Sequence, residues 1–158
     1  MRTLALVLAA CVAAGSAGCV RVSRDPVTGN ADIDVENPVK SGEDWKANIT
    51  GRGMWTGASG TATARVEGGN TLVMLVLTGL PPGGPYPWHV HDGTCETGGP
   101  IVGDPAAYAP LTVGADGRAE ANARLLNFKL NEAKKYHVNV HRSAGDLATI
   151  IACGQLDD

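Results

Sequence analysis

Apolar and polar positions in several short segments after residue 60 follow a period of two rather than 3.6, the spacing of half-buried strands. Thr61-Ala62-Thr63-Ala64-Arg65-Val66 is a small alternating strand. Glu67-Gly68-Gly69-Asn70 makes a turn, and Thr71 to Leu77 is an apolar run expected to be buried on both faces. Together they predict a β-hairpin. Leu80-Pro81-Pro82-Gly83-Gly84-Pro85 cannot continue a sheet and predicts a loop. Tyr86 to His91 predicts the next strand. From Asp92 to Pro110 Gly and Pro recur without periodicity, a loop too long for a compact domain unless function or a disulfide orders it. Val113 to Arg124 predicts a second hairpin around Asp116-Gly117, and Leu125 to Ala133 a helical turn. Tyr136 to His141 and Thr149 to Leu156 close the chain as strands. Short strands joined by Gly/Pro turns, with no long helical pattern, point to an all-β sandwich or barrel.

The N-terminus follows a different pattern. Met1-Arg2 is a minimal positive region, Leu4 to Gly15 is apolar apart from Cys11, and Ser16-Ala17-Gly18 precede Cys19. This reads as a secretory signal over residues 1–18 of the bacterial lipoprotein kind, with cleavage before Cys19 and acylation of its thiol. Leu8-Ala9-Ala10-Cys11 is the alternative lipobox, but cleavage there leaves a very short apolar region. The apolar run is too short for a comfortable membrane span. Val20 to Lys40 is polar with breakers at Pro26, Gly29 and Pro38, which suits a lipidated tether over 19–41. The alternation of Ala31 to Val35 keeps a short edge strand open there. Residues 42–158 are then one small domain. The expected location is the bacterial cell envelope, facing the periplasm, with membrane contact through the lipid alone.

Charge excludes some functions. The formal net charge is −3, and losing Arg2, the single charged residue of positions 1–18, makes the mature form −4. Charges are mixed without runs, so nothing argues for nucleic acid. Cysteine usage is more telling. Of four cysteines, Cys11 leaves with the signal and Cys19 takes the lipid. Cys95 and Cys153 remain in an oxidising compartment, where a disulfide persists.

The chemistry is concentrated in four histidines. His89 and His91 are two apart on one strand, so both rings share a face with Cα atoms ~6.6 Å apart, close enough to share a metal ion. His141, on a second strand-like segment, completes a three-imidazole candidate. His137 is a further candidate ligand, but on a straight strand it lies ~13 Å from His141, and a bulge would be needed to join them. Asp146 and Asp92 are candidates to orient the metal histidines from behind, as carboxylates commonly do. Trp88 alternates to the opposite face from His89 and is expected to pack. Arg142 should point away from the metal. Trp45 and Trp55 carry no readable signal.

These residues, in this order, resemble the copper/zinc superoxide dismutases over roughly Gly57 to Leu156. Leu80-Pro81-Pro82-Gly83 is similar to the loop before that family's copper strand, and His89-Val90-His91 to its copper-binding His-x-His. Cys95 and Cys153 match its disulfide cysteines, and His141 its late copper histidine, with Asp146 near a conserved acidic position. Gly98-Gly99-Pro100 resembles the Gly-Pro before the histidine that bridges copper and zinc. The resemblance implies an eight-stranded Greek-key β-barrel with a copper site. It also departs from the family. Ile101 stands at the bridging histidine, the zinc ligands are missing from the long loop, and Ile150 stands at the arginine that guides superoxide. Zinc is therefore not expected, and copper is. Tyr136 to His141 and Gly154-Gln155-Leu156 additionally resemble the CHRD domain, an extracellular β-module.

Two functions follow as expectations. One is an extracytoplasmic copper-only, dismutase-like lipoprotein that disproportionates superoxide. The other is a copper-holding module, or a metal-free CHRD-type module, without turnover. The partners expected are superoxide or copper ions.

Overall fold

The computed structural model describes residues 44–158 in full, and Leu8–Ala9, Cys19–Arg24 and Ala31–Glu36 by their backbone. The chain divides into two compact units, Met1–Ser41 and Gly42–Asp158. In the first, β1 (Leu8–Ala9), β2 (Cys19–Arg24) and β3 (Ala31–Glu36) form an antiparallel ladder, with Cys19 opposite Glu36 and Arg24 opposite Ala31. The remainder of the signal region, including Cys11, lies outside the described residues. No helix among the described residues is long and apolar enough to cross a membrane.

The second unit is all β. Its strands are β4 (Asp44–Gly51), β5 (Ser59–Glu67), β6 (Asn70–Thr78), β7 (Gly83–Tyr86), β8 (Trp88–Asp92), β9 (Leu111–Val113), β10 (Arg118–Leu125), β11 (Tyr136–Ser143) and β12 (Asp146–Leu156). Seven of them form one curled antiparallel sheet in the order β10-β6-β5-β4-β12-β11-β8, a half-barrel. β7 pairs with β9 as a separate ribbon; β7 lies against β11 and β9 against β10. The chain leaves β6 near one edge of the sheet and enters β8 at the other. It crosses back again between β10 and β11, which is Greek-key connectivity. β7 and β8 are one run broken at Pro87, which has no N–H to donate, while its carbonyl accepts from His141 N at 2.8 Å.

Strand pattern dictates which face is buried. In β4, Trp45, Ala47 and Ile49 point inward and the residues between them outward. Val73, Leu75 and Leu77 of β6 and Val138 and Val140 of β11 join the same core, with Trp88 fully buried among them. Trp88 also donates Nε1–H to Ala109 O at 2.8 Å, so its one polar atom is satisfied.

The observed elements depart from sequence expectation in five places. β4 was not legible as a strand, although Trp45, Ala47 and Ile49 alternate. β6 is buried on one face only, and Met74 is 58% exposed, because no layer covers the outer side of the sheet there. Gly83–Tyr86 is a strand after all. It belongs to a two-stranded ribbon whose register breaks between Gly83 and Tyr86, where Pro85 removes no needed donor. Around Asp116-Gly117 the turn forms, but β9 and β10 do not pair as a hairpin: β10 pairs with β6 and β9 with β7. In place of a helical turn over Leu125 to Ala133, the chain makes separate turns at 126–127 and 132–133.

β8 and β11 are buried on both faces over most of their length, as is β12 from Ile151 to Gly154. Their inner face meets the core. Their outer face is covered by the long segment after Asp92, which is strapped down in several places. Cys95 is disulfide-bonded to Cys153 of β12, with Cα atoms 6.1 Å apart. Arg52 donates to Cys95 O at 3.1 Å. Asp92 N donates to Pro100 O and Val102 N to Val90 O, both at 3.0 Å, which lays Ile101 beside His91 on the free edge of β8.

Candidate metal centre

Period-two alternation sends Trp88 and Val90 into the core, and His89 and His91 to the outer face beneath this segment. The same rule places Tyr136, Val138 and Val140 inward and His137, Asn139 and His141 outward. Antiparallel register then sets His91 opposite His137 and His89 opposite Asn139. At His141 the ladder slips. Val140 faces Ala152 but His141 faces Ile150, so Ile151 is extra on β12, a bulge of the kind that re-aims a side chain.

Three of the four rings converge. One nitrogen from each of His89, His91 and His141 lies within 4.8 Å of the others. His89 Nδ1 is 3.2 Å from His141 Nε2. The other nitrogens are fixed by main-chain carbonyls: His91 Nδ1–H donates to Gly99 O at 2.9 Å, and His141 Nδ1–H to Leu147 O at 2.7 Å. That assigns both neutral rings the tautomer with a bare Nε2, and orients each from behind as metal histidines usually are. His91 Nε2 is buried without a protein partner among the described residues.

The sequence assigned this orienting task to Asp146 and Asp92, and the structure gives it to carbonyls. Asp146 accepts from Thr149 N at 3.1 Å and pairs with Arg142 at 3.5 Å. Asp92 pairs with Lys134 at 2.6 Å. Both are occupied at the surface. The glycine carbonyl is a role sequence reading overlooked; its signal is Gly99 itself. A Cβ there would lie 1.7 Å from Asp92 O, so only glycine permits this close turn.

The centre is buried and uncharged. His89, His91 and His141 are 8%, 8% and 4% exposed. Burial, reinforced by His141 and His91, pushes His89 down to about 4. Burial likewise lowers His91, against the Gly99 carbonyl, and His141, against the Leu147 carbonyl. All three rings are therefore neutral at pH 7, with lone pairs available to a cation. A set of imidazoles without carboxylate or thiolate suits copper, zinc and similar transition ions rather than magnesium or calcium. The three histidines could hold such an ion.

His137 does not join them. It is fully buried and lies face to face with His91, ring centroids 5.2 Å apart and planes at 21°. Its Nε2 is 3.2 Å from Asn139 Nδ2. Tyr108 packs edge-on against His89 at 5.3 Å and donates to Val102 O, closing the other side.

Compared with known protein families and with curated proteins, the chain matches none.

Proposed function

We propose that this domain is an extracytoplasmic copper-binding protein of the copper/zinc superoxide dismutase type, retaining the copper ligands without the zinc site. The observation that carries the reading is the convergence of His89, His91 and His141 on the outer face of a Greek-key sheet, beside the Cys95–Cys153 disulfide. His89 would hold the ion through Nδ1, which lies 3.2 Å from His141 Nε2, and His91 and His141 would hold it through Nε2. Gly99 and Leu147 hold the latter two rings in their tautomers. The segment from Gly93 to Pro110 limits solvent and restricts access to small ligands. Bound copper supplies a one-electron redox couple, the chemistry needed to turn two superoxide anions and two solvent protons into dioxygen and hydrogen peroxide.

A second reading, a copper-holding module without turnover, is favoured by two side chains. Ile101 lies opposite His91 where the family has its bridging histidine, and Ile150 lies opposite His141 where the family has its arginine. A compact set of three nitrogens with an apolar neighbour suits Cu(I), and a site that holds copper reduced cycles poorly. The disulfide supports an oxidising compartment. Export by the N-terminal signal and anchoring through Cys19, facing the periplasm, belong to the same proposal.

Metal analysis of the purified mature protein, followed by a superoxide assay on the copper-loaded form, separates the readings. One copper per chain with turnover supports the enzyme. One copper per chain without turnover selects the holding module, and no copper rejects both.

A further inference from the structure

His91 sits on β8, the edge strand of the sheet. In the plane of its ring it is fixed by the Gly99 carbonyl. Perpendicular to that plane, its ring neighbours differ. His89 and His141 meet it at 82° and 58°, whereas His137 alone lies nearly parallel, at 21°. That ring is itself immobilised. His137 is fully buried on β11 directly opposite His91. Asn139, two residues on and 3% exposed, donates Nδ2–H to His137 Nε2 at 3.2 Å. The bond consumes the lone pair that would otherwise make His137 a ligand, and leaves its ring face as the surface presented to His91.

We propose that His137 and Asn139 are positioning residues, a buried imidazole–amide brace that fixes the tilt of the His91 ring and so sets the tightness of the three-histidine site. This rests on the copper reading above. The pair explains why a fourth histidine occupies the His-x-Asn-x-His face of β11 without entering the metal group. Its ring acts by shape and not by its nitrogen.

The test uses the disulfide-intact protein and three variants: His137→Ala, His137→Phe, and His137→Phe combined with Asn139→Leu. Copper stoichiometry, the copper dissociation constant by chelator competition, the Cu(II) EPR spectrum and the urea midpoint are read for each. His137→Ala should keep one copper per chain, with affinity weakened about 10- to 100-fold and an altered EPR spectrum. His137→Phe keeps a flat ring against His91 and should return affinity to within about 3-fold of the parent, as should the double variant, which also removes the stranded amide. Loss of copper in His137→Phe as severe as in His137→Ala would overturn the proposal by making the nitrogen essential. A lowered urea midpoint with unchanged affinity and EPR spectrum in His137→Ala would overturn it by reducing the pair to packing. If His137→Ala does not fold, His137→Leu takes its place, filling the space without a flat ring: weakened copper affinity with an altered EPR spectrum supports the brace, and parental values overturn it. Failure of the underlying copper reading looks different: the parent protein itself would bind no copper, or would keep it after His89→Ala.

Discussion

Acidifying the metal-free domain should weaken it from about pH 6.5 downward. His89 titrates at about 4 when folded, against 6.5 for a free ring, chiefly because it is buried. Between these values the unfolded chain takes up a proton at this position and the folded chain does not. Stability from this residue is therefore unaffected above about pH 7, falls as pH drops through 6.5, and levels off below about 4. At ~1.36 kcal/mol per pH unit, the full interval corresponds to about 3 kcal/mol, and about 2 kcal/mol is lost by pH 5. His91, His137 and His141 are lowered by burial as well and add in the same direction. Asp44 and Asp146 act only lower, since both titrate below 3.8 when folded. Against a typical total of roughly 5–15 kcal/mol, the histidine term is large enough to measure. Urea unfolding of chelator-treated, disulfide-intact protein, followed by tryptophan fluorescence, should show equal midpoints at pH 8 and 7. The midpoint should then decline steadily to pH 4.5, and copper loading at pH 6 should restore it by holding the rings neutral. A midpoint flat from pH 7 to 5 would refute the reasoning, because the rings would then be neither buried nor neutral as placed.

Three further outcomes follow from particular contacts. Replacing both Cys95 and Cys153 by serine opens a loop spanning 58 residues and should cost roughly 4 kcal/mol in urea unfolding. It should also weaken copper binding, since the bridge anchors the segment that carries Gly99. Gly99→Ala places a methyl against Asp92 O and displaces the carbonyl that orients His91, so copper affinity measured by chelator competition should fall about 10-fold or more. Ile101→His puts an imidazole opposite His91 on the same face; air-equilibrated protein should shift toward EPR-visible Cu(II), and an unchanged spectrum would count against the Cu(I) preference.

Much of the sheet was legible because alternation is a local signal. Thr61 to Val66, Tyr136 to His141 and the C-terminal strand could be read from period two alone. β4 escaped because two of its inward residues, Trp45 and Ile49, flank an alanine, and small inward residues weaken an apolar pattern. The ribbon of β7 and β9 was hidden by Pro and Gly, whose usual meaning is a loop. Its pairing is set by the curl of the whole sheet, which no local window contains. The histidine trio was readable from His-x-His and one distant histidine. The bulge beside His141 and the burial of both faces of β8 and β11 were not, since both depend on what the long segment covers. The orienting roles given to Asp146 and Asp92 failed for the same reason. A carboxylate can be seen in a sequence, but a main-chain carbonyl becomes a ligand-orienting group only through the turn that aims it.

The most direct test of the central claim is the copper content of the purified, disulfide-intact protein, measured beside His89→Ala, His91→Ala and His141→Ala. One tightly held copper per parent chain, lost or loosened by orders of magnitude in each variant, is the expected result. Copper retained at one per chain with unchanged affinity in these variants, or no copper bound by the parent, would contradict it.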